Sequence, residues 1–254
     1  MTTLWAGPFG GEFGWEIMGW QGHIRRLSKG VDRVVVACRE SSIPLYLDFT
    51  SDFIVIPDCD GLSGQGCEVD LLEWDEKIAG LMKVNDSRTP SNLFLPDQCD
   101  YIPYGEGVYG QYRVAFCARS KDLGPERNWP NRWWSMLVNA MPLQYMSYVS
   151  LGKTDSSMLV PGSIDGRDWP LRQVMDALAG AHLVIGPNSG LIHLASLCQP
   201  QNILTWVDPK GHAMGMSTYQ RVTDKWNPFA TGTHCINEIR PTPETVIDKA
   251  MKLL

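Results

Sequence analysis

The stretch richest in chemical possibility is His182–Cys198, HLVIGPNSGLIHLASLC. An aliphatic, β-branched run ends at Gly186-Pro187, and a helical pattern opens directly after it, with Asn188 or Ser189 as its expected cap. The first turn of such a helix has free backbone N–H groups. With a small hydroxyl and a glycine that allows close approach, it makes an anion site. In open α/β sheets ligands also sit just beyond the carboxyl ends of strands. The plain alternative is a strand–turn–helix whose cap serves only the helix.

Other residues could join such a site. Arg119, Lys121 and Arg127 follow the strand-like run Arg113–Cys117. Three cations after one strand can clamp a diphosphate, or simply solvate a loop. Near the N-terminus, GGEFGWE sets Glu12 and Glu16 among Gly10, Gly11 and Gly14. These glycines let the backbone turn sharply and approach a ligand. Glu12 lies in the loop and Glu16 at a helix start, where a carboxylate suits the dipole. Asp58-Cys59-Asp60 follows another strand-like run, FIVIP. A D-x-D there can hold a divalent ion that bridges phosphates, although two acids in a turn are common. The five histidines show no metal-ligand spacing. Neither G-x-S-x-G nor a Walker A sequence is present, so hydrolase and P-loop chemistry lack support.

The elements that must position these groups alternate between strand and helix, which implies parallel sheets covered by helices. In the first part, strands are expected at Thr3–Gly7, Asp32–Cys38 and Phe53–Pro57, with helices at Trp15–Leu27 and Leu71–Met82. Loop-rich stretches follow at Asn85–Ser91 and Pro103–Gly110, and the break in pattern near Pro103–Tyr112 is the expected domain boundary, giving domains 1–110 and 111–254. In the second part, strands are expected at Arg113–Cys117, Met146–Leu151, Met158–Val160, His182–Gly186 and Asn202–Trp206. Helices are expected at Trp133–Ala140, Leu171–Ala179, Gly190–Cys198 and Pro243–Leu254. Ser163–Pro170 (SIDGRDWP) reads as a turn-rich loop, and Trp226–Phe229 (WNPF) either covers a ligand or simply packs.

Composition narrows the field. The 254 residues, 44% hydrophobic and 20% charged, suit one large α/β domain or two smaller ones. A net charge of −6 gives no overall basic footprint for nucleic acid. The seven cysteines are odd in number and contain no C-x-x-C pair, which argues against a disulfide framework or zinc ribbon. Reduced thiols, and an opening without a basic-then-apolar leader, predict a cytoplasmic protein.

The run GPNSGLIHLASLCQPQNILTW resembles the phosphate-binding segment of the heptosyltransferase-type enzymes, glycosyltransferase family 9. That family's pattern is a strand, an acidic residue, Ser-Gly, a hydrophobic pair, His and a small-residue helix, then Pro and another strand. Arg127-Asn128-Trp129-Pro130 is similar to the family's R/K-x-W-P segment, and the resemblance covers roughly the C-terminal half. It implies a GT-B fold of two Rossmann-like domains whose parallel sheets face a central cleft. The N-terminal domain would take the acceptor and the C-terminal domain a nucleotide-diphosphate sugar, with no metal and no cofactor. Residue by residue, Asn188, Ser189 and Gly190 would meet the diphosphate, with His193 one turn further in and Arg119, Lys121 and Arg127 supplying charge. Asp165 is the candidate for a contact with the nucleotide's base or ribose. A carboxylate after the first strand would deprotonate the acceptor, Glu12 ahead of Glu16.

The sequence also departs from the family. Asn188 stands where the family usually has Asp, which removes a charge beside the phosphates. The chain is shorter than usual, so its acceptor loops must be trimmed. A glycan or glycolipid hydroxyl is the expected acceptor, and the terminal helix could cross back to the N-terminal half. Alternatives are transfer to hydroxymethylated bases in viral DNA, which the acidic charge disfavours, a nucleotide-sugar binding module without turnover, and another group transferase on a similar frame.

Overall fold

The β-branched run Val34–Cys38 forms the buried centre of the first sheet in the computed structural model. The structure describes residues 3–7, 9, 12–56, 96–122, 124–141, 147–213 and 216–254. Strands β1 (Thr3–Ala6), β2 (Arg33–Arg39) and β3 (Asp52–Ile56) pair in that order, all parallel. A strand covered on both faces reads as a continuous apolar run, as β2 does. Helical run α1 links β1 to β2. It is α-helical at Phe13–Trp15, π-helical at Glu16–Trp20 and α-helical again at Gln21–Ser28. Ile17, Trp20 and Ile24 face the core, while Arg25 and Arg26 occupy the last turn. Just after β1, Gly7 has φ +101, and a Cβ there would lie 2.3 Å from the Ala37 carbonyl oxygen. Only glycine fits both demands.

The second unit is built on a six-stranded parallel sheet. Its strands are β4 (Tyr112–Phe116), β5 (Tyr148–Gly152), β6 (Ile164–Arg167), β7 (Ala181–Pro187), β8 (Asn202–Trp206) and β11 (Thr233–Ile236). Their spatial order is β11-β8-β7-β4-β5-β6, so the chain builds outward from β4 in one direction and then from β7 in the other. Between β8 and β11 lie a short hairpin, β9 (His212–Ala213) with β10 (Met216–Ser217), and a helical segment, α5. α5 is an α-turn at Thr218–Gln220 continued by π-helical Arg221–Lys225.

Helices cover both faces of this sheet. α2 (Asn131–Ala140) and α6 (Pro243–Leu253) bury Trp134, Leu137, Val246 and Ala250 against Phe116, Ile185, Leu204 and Trp206. α3 (Leu171–Ala179) and α4 (Gly190–Cys198) pack on the central strands from the other side. The pattern LRQVMDALA buries Val174, Met175 and Leu178 at helical spacing, and α3 stops at Gly180. α4 is buried almost all round, from Ile192 to Cys198, as its lack of a polar stripe requires. Thr242 caps α6 by accepting from Thr245 N–H, with Pro243 next in line. No helix among the described residues is long and apolar enough to cross a membrane.

Several expectations need revision. The chain divides into Met1–Tyr101 and Ile102–Leu254, earlier than the expected 110/111 boundary. The loop-rich stretch lies against α3, so closely that a Cβ on Gly107 would come within 2.1 Å of the Asp176 carbonyl oxygen. Met158–Val160 is not a strand of the sheet. Met158 N–H donates to the Ala118 carbonyl at 2.7 Å instead. The presumed loop Ser163–Pro170 contains β6, an edge strand too polar to show strand alternation. α6 packs on the core of the second unit. β11 and α5 carry no clear periodicity and were not expected. The helix expected at Leu71–Met82, the loop at Asn85–Ser91, Asp58-Cys59-Asp60, Gly10 and Gly11 lie outside the described residues.

One glycine tests the centre of the second sheet. A Cβ on Gly186 would lie 2.6 Å from the Cys117 carbonyl oxygen. Gly186→Ala is expected to lower stability by about 1–3 kcal/mol through this overpacking. Urea unfolding would measure the loss, and an unchanged midpoint would mean that the two strands can separate freely.

Candidate functional site

Asn188 and Ser189 form the whole turn between β7 and α4. Asn188 N–H donates to the Trp206 carbonyl at 3.0 Å, which ties the turn to the end of β8. Ser189 occupies the N-cap position in extended conformation (φ −158, ψ 172), yet its side chain makes no capping hydrogen bond. Ser189 Oγ and Asn188 Oδ1 are shielded from solvent, with no partner among the described residues. A serine here ordinarily bonds a first-turn N–H, and buried polar atoms are ordinarily satisfied. These two oxygens stand beside the open end of a nine-residue helix, which makes the turn the candidate anion site.

The sheet topology explains why a ligand can reach this turn. β4 and β7 are neighbours, but the chain leaves them towards opposite edges of the sheet. Their carboxyl ends therefore flank the topological switch point, where connections diverge and open a crevice. One side of it is Asn188–Gly190 and the other is the loop after β4. Close approach of β7 to Cys117 at Gly186 sets the floor. Thr205, fully buried beside Gly186 on β8, leaves its Oγ1 without a partner as well.

The loop after β4 carries the predicted cations, in unequal states. Arg119 is buried, and its Nη1 donates to the Gly124 carbonyl at 3.0 Å and to Asn128 Oδ1. Asn128 also accepts from Lys121 N–H at 3.2 Å and donates to the Lys121 carbonyl at 2.7 Å. Sequence reasoning passed over Asn128, which staples the loop; its signal was the habit of Asn side chains to bond nearby backbone. Arg119 thus shapes the loop. Lys121 and Arg127 are half-buried, with no ion pair for either charged end among the described residues.

His193 lies on α4, one turn beyond Ser189, and is buried. Burial first, and the Arg221 charge second, push its pKa down from 6.5 to about 3. The ring is therefore neutral, so it can hydrogen-bond a phosphate but adds no positive charge. Asp165 is placed differently from expectation. It lies on β6 in a two-pronged pair with Arg167, whose Nε and Nη2 each approach its carboxylate at 2.8 Å. The Arg167 hydrogen bonds hold Asp165 down at about 2. Trp226 and Asn227 are buried, and Asn227 bonds Thr231, so WNPF packs rather than covers a ligand. Burial pushes the thiols of Cys38, Cys117 and Cys235 up to about 12, so they are not nucleophiles.

In the first unit the candidate acids separate sharply. Glu16, 1% exposed, accepts from Arg39 Nη2 at 2.5 Å, Ser42 Oγ at 3.0 Å and Tyr46 Oη at 2.7 Å. A carboxylate so enclosed and so fully bonded holds the end of β2 against α1 and has little use as a base. Glu12 precedes α1 and is half-buried, and its side chain makes no capping bond. Its carbonyl begins the helix by accepting from Trp15 and Glu16 N–H groups at 2.9 and 3.2 Å. Gly14 lies inside α1's opening turn rather than in a loop.

Two outcomes follow. Glu16→Gln leaves Arg39 without its counter-charge and is expected to cost about 3–5 kcal/mol, while Glu12→Gln should leave the urea midpoint nearly unchanged. As for His193, protons bind the unfolded chain first as pH falls below 6.5, because the folded ring resists charge down to about 3. The ring therefore withdraws stability on acidification through that window, at up to roughly 1.4 kcal/mol per pH unit. His193→Gln should flatten this part of the acid limb when unfolding at pH 7 and pH 4.5 is compared. Parallel losses in the two proteins would show that the ring is solvated.

Neither a protein-family model nor a curated protein sequence matches the chain. Solved structures do. A glycosyl transferase family 9 protein from Veillonella parvula superposes with a TM-score of 0.63 at 11% identity, covering 99% of this chain and 97% of that one. The E. coli ADP-heptose LPS heptosyltransferase II gives 0.58 at 14% identity, over 100% and 98%. The iron-containing dodecameric glycosyltransferase TibC of enterotoxigenic E. coli gives 0.50 at 15% identity, over 84% and 61%. The resemblance carried by GPNSGLIH and RNWP thus has a counterpart in three dimensions: over nearly its whole length the chain shares the parallel α/β fold of family 9 glycosyltransferase structures.

Proposed function

We propose that this protein is a glycosyltransferase that moves a sugar from a nucleotide-diphosphate donor to a hydroxyl of a glycan or glycolipid. The observation that carries the reading is the pair of orphan oxygens, Ser189 Oγ and Asn188 Oδ1, at the open end of α4. They lie at the switch point of a fold shared with structures described as glycosyltransferases.

In this reading the second unit binds the donor and the first unit the acceptor. The diphosphate lies across the first turn of α4, where N–H groups and the helix dipole favour anions. Ser189 donates to a phosphate oxygen, and His193 hydrogen-bonds without adding charge. Lys121 and Arg127 supply positive potential from the β4 side, on the loop that Arg119 and Asn128 hold in shape. Glu12 removes the acceptor's proton while the acceptor oxygen displaces the nucleotide diphosphate from the anomeric carbon, with inversion. Preorganised donors at the leaving group do the stabilising that a metal ion does in other transferases. Asn188, neutral where the resembling family has an acid, leaves the phosphates with less repulsion.

The reading is tested by thermal shift with ADP, GDP, UDP and CDP and their sugars, in EDTA and in Mn²⁺. A ligand that binds only the folded chain raises the midpoint. One nucleotide series should stabilise the protein in EDTA, and Ser189→Trp should abolish the effect. Stabilisation confined to Mn²⁺ would instead point to a metal-dependent donor site. With the donor in hand, Glu12→Gln should reduce kcat by about 10²–10⁴-fold at unchanged donor affinity. Unchanged turnover would remove Glu12 from the reaction.

A further inference from the structure

A second source of positive charge lies in the segment between β8 and β11, which sequence periodicity did not reveal. After β8 the chain makes the β9–β10 hairpin and α5, then packs along α4. Ser196 Oγ donates to the Trp226 carbonyl at 3.2 Å, and Thr231 Oγ1 donates to the Ser196 carbonyl at 2.9 Å. Trp226 immediately follows α5, and Arg221 opens its π-helical part. One turn before Ser196, towards the start of α4, His193 feels the Arg221 charge. Asn188 N–H is tied to the Trp206 carbonyl at the end of β8. The chain leaving that end reaches Gly211, whose carbonyl holds Thr218 and through it Arg221. The segment carrying the guanidinium thus starts from the same carboxyl edge of the sheet as the Ser189 turn.

Arg221 is held there rather than free in solvent. Its Nη2 donates to Thr218 Oγ1 at 2.8 Å, and Thr218 Oγ1 donates in turn to the Gly211 carbonyl at 2.9 Å. Ser217 and Gln220 close a reciprocal capping box around the same turn. The guanidinium is half-buried, and burial lowers its own pKa. A cation partly stripped of water and fixed in place gains most when an anion reaches it.

We propose that Arg221 grips the diphosphate of the nucleotide-sugar donor from the α5 side, so that the leaving group lies between it and the Lys121–Arg127 loop. This rests on reading the α4 turn as the donor site. As the bond from the anomeric carbon to the phosphate oxygen breaks, its electron pair stays on that oxygen. The acceptor oxygen bonds to the carbon, and its proton passes to Glu12. Arg221's charge-assisted hydrogen bond strengthens as that negative charge grows. Arg221 thus meets phosphate, not the base or ribose, and its effect should scale with phosphate charge.

The test titrates the full chain with inorganic pyrophosphate, with whichever of the four nucleoside diphosphates stabilises it, and with the corresponding nucleoside. Arg221→Gln is expected to weaken pyrophosphate and the nucleoside diphosphate about tenfold or more, leaving the nucleoside unaffected, and Arg221→Lys should recover part of the loss. Equal weakening of all three ligands would assign Arg221 a merely structural role and overturn the proposal. Unchanged pyrophosphate affinity would also overturn it, yet the donor-site reading would stand if Ser189→Trp still abolished binding. No binding of any phosphate ligand to the wild type would sink that reading and this proposal together. Should Arg221→Gln fail to fold, Thr218→Val replaces it, removing the anchor and keeping the charge. Weaker pyrophosphate binding at constant nucleoside affinity supports the proposal, and unchanged affinity overturns it.

Discussion

Parallel pairing of β4 with β7 is the constraint on which the rest of the second unit depends. A parallel neighbour cannot be reached by a tight turn, so each addition to the sheet needs a crossover. From β4 the chain adds β5 and β6 on one side; from β7 it adds β8 and β11 on the other. Connections leaving two adjacent strands in opposite directions cannot cover the gap between their ends. That gap is where the Asn188-Ser189 turn and the Arg119–Asn128 loop face each other. Gly186, at the point of closest approach to Cys117, admits no side chain.

The chemistry of the crevice follows from the cost of burying charge. The groups at the turn are neutral: Ser189 and Asn188, whose side-chain oxygens find no partner among the described residues, and an imidazole one turn on that burial keeps unprotonated. Lys121, Arg127 and Arg221, by contrast, keep part of their surface in solvent. An empty site lined by buried charges would be expensive. Backbone dipoles and hydroxyls carry a smaller penalty and need no reorganisation when a phosphate arrives. Glu16 in the first unit shows the other solution. It is a charge buried outright, tolerated because Arg39, Ser42 and Tyr46 surround it with donors. That acid serves structure.

How much of this was legible beforehand depends on which force sets each feature. Buried parallel strands and their crossover helices announce themselves, because both faces of a central strand and one stripe of a helix must be apolar. Leu171–Ala179, Gly190–Cys198 and Asn202–Trp206 were accordingly readable to the residue. β6 and β11 were not, since an edge strand with one wet face can be as polar as IDGR or THCI. α5 mixes α and π turns, and its position is set by bonds to α4 rather than by its own periodicity.

The sequence by itself determined the strand–turn–helix at Gly186–Gly190, because a strand run, a small capping residue and a helical run are local properties of the chain. It also supplied the pool of cations and acids from which a site could be built. Only tertiary structure sorted that pool. Arg119 became a structural brace, Asp165 was paired as a carboxylate with Arg167, Glu16 was buried, His193 was held neutral and Arg221 was hydrogen-bonded to Thr218. Each outcome depends on which groups distant in sequence share a volume with the side chain, and on how much water remains there. Those quantities are set by packing and dielectric environment, and neither is encoded in any single stretch of residues.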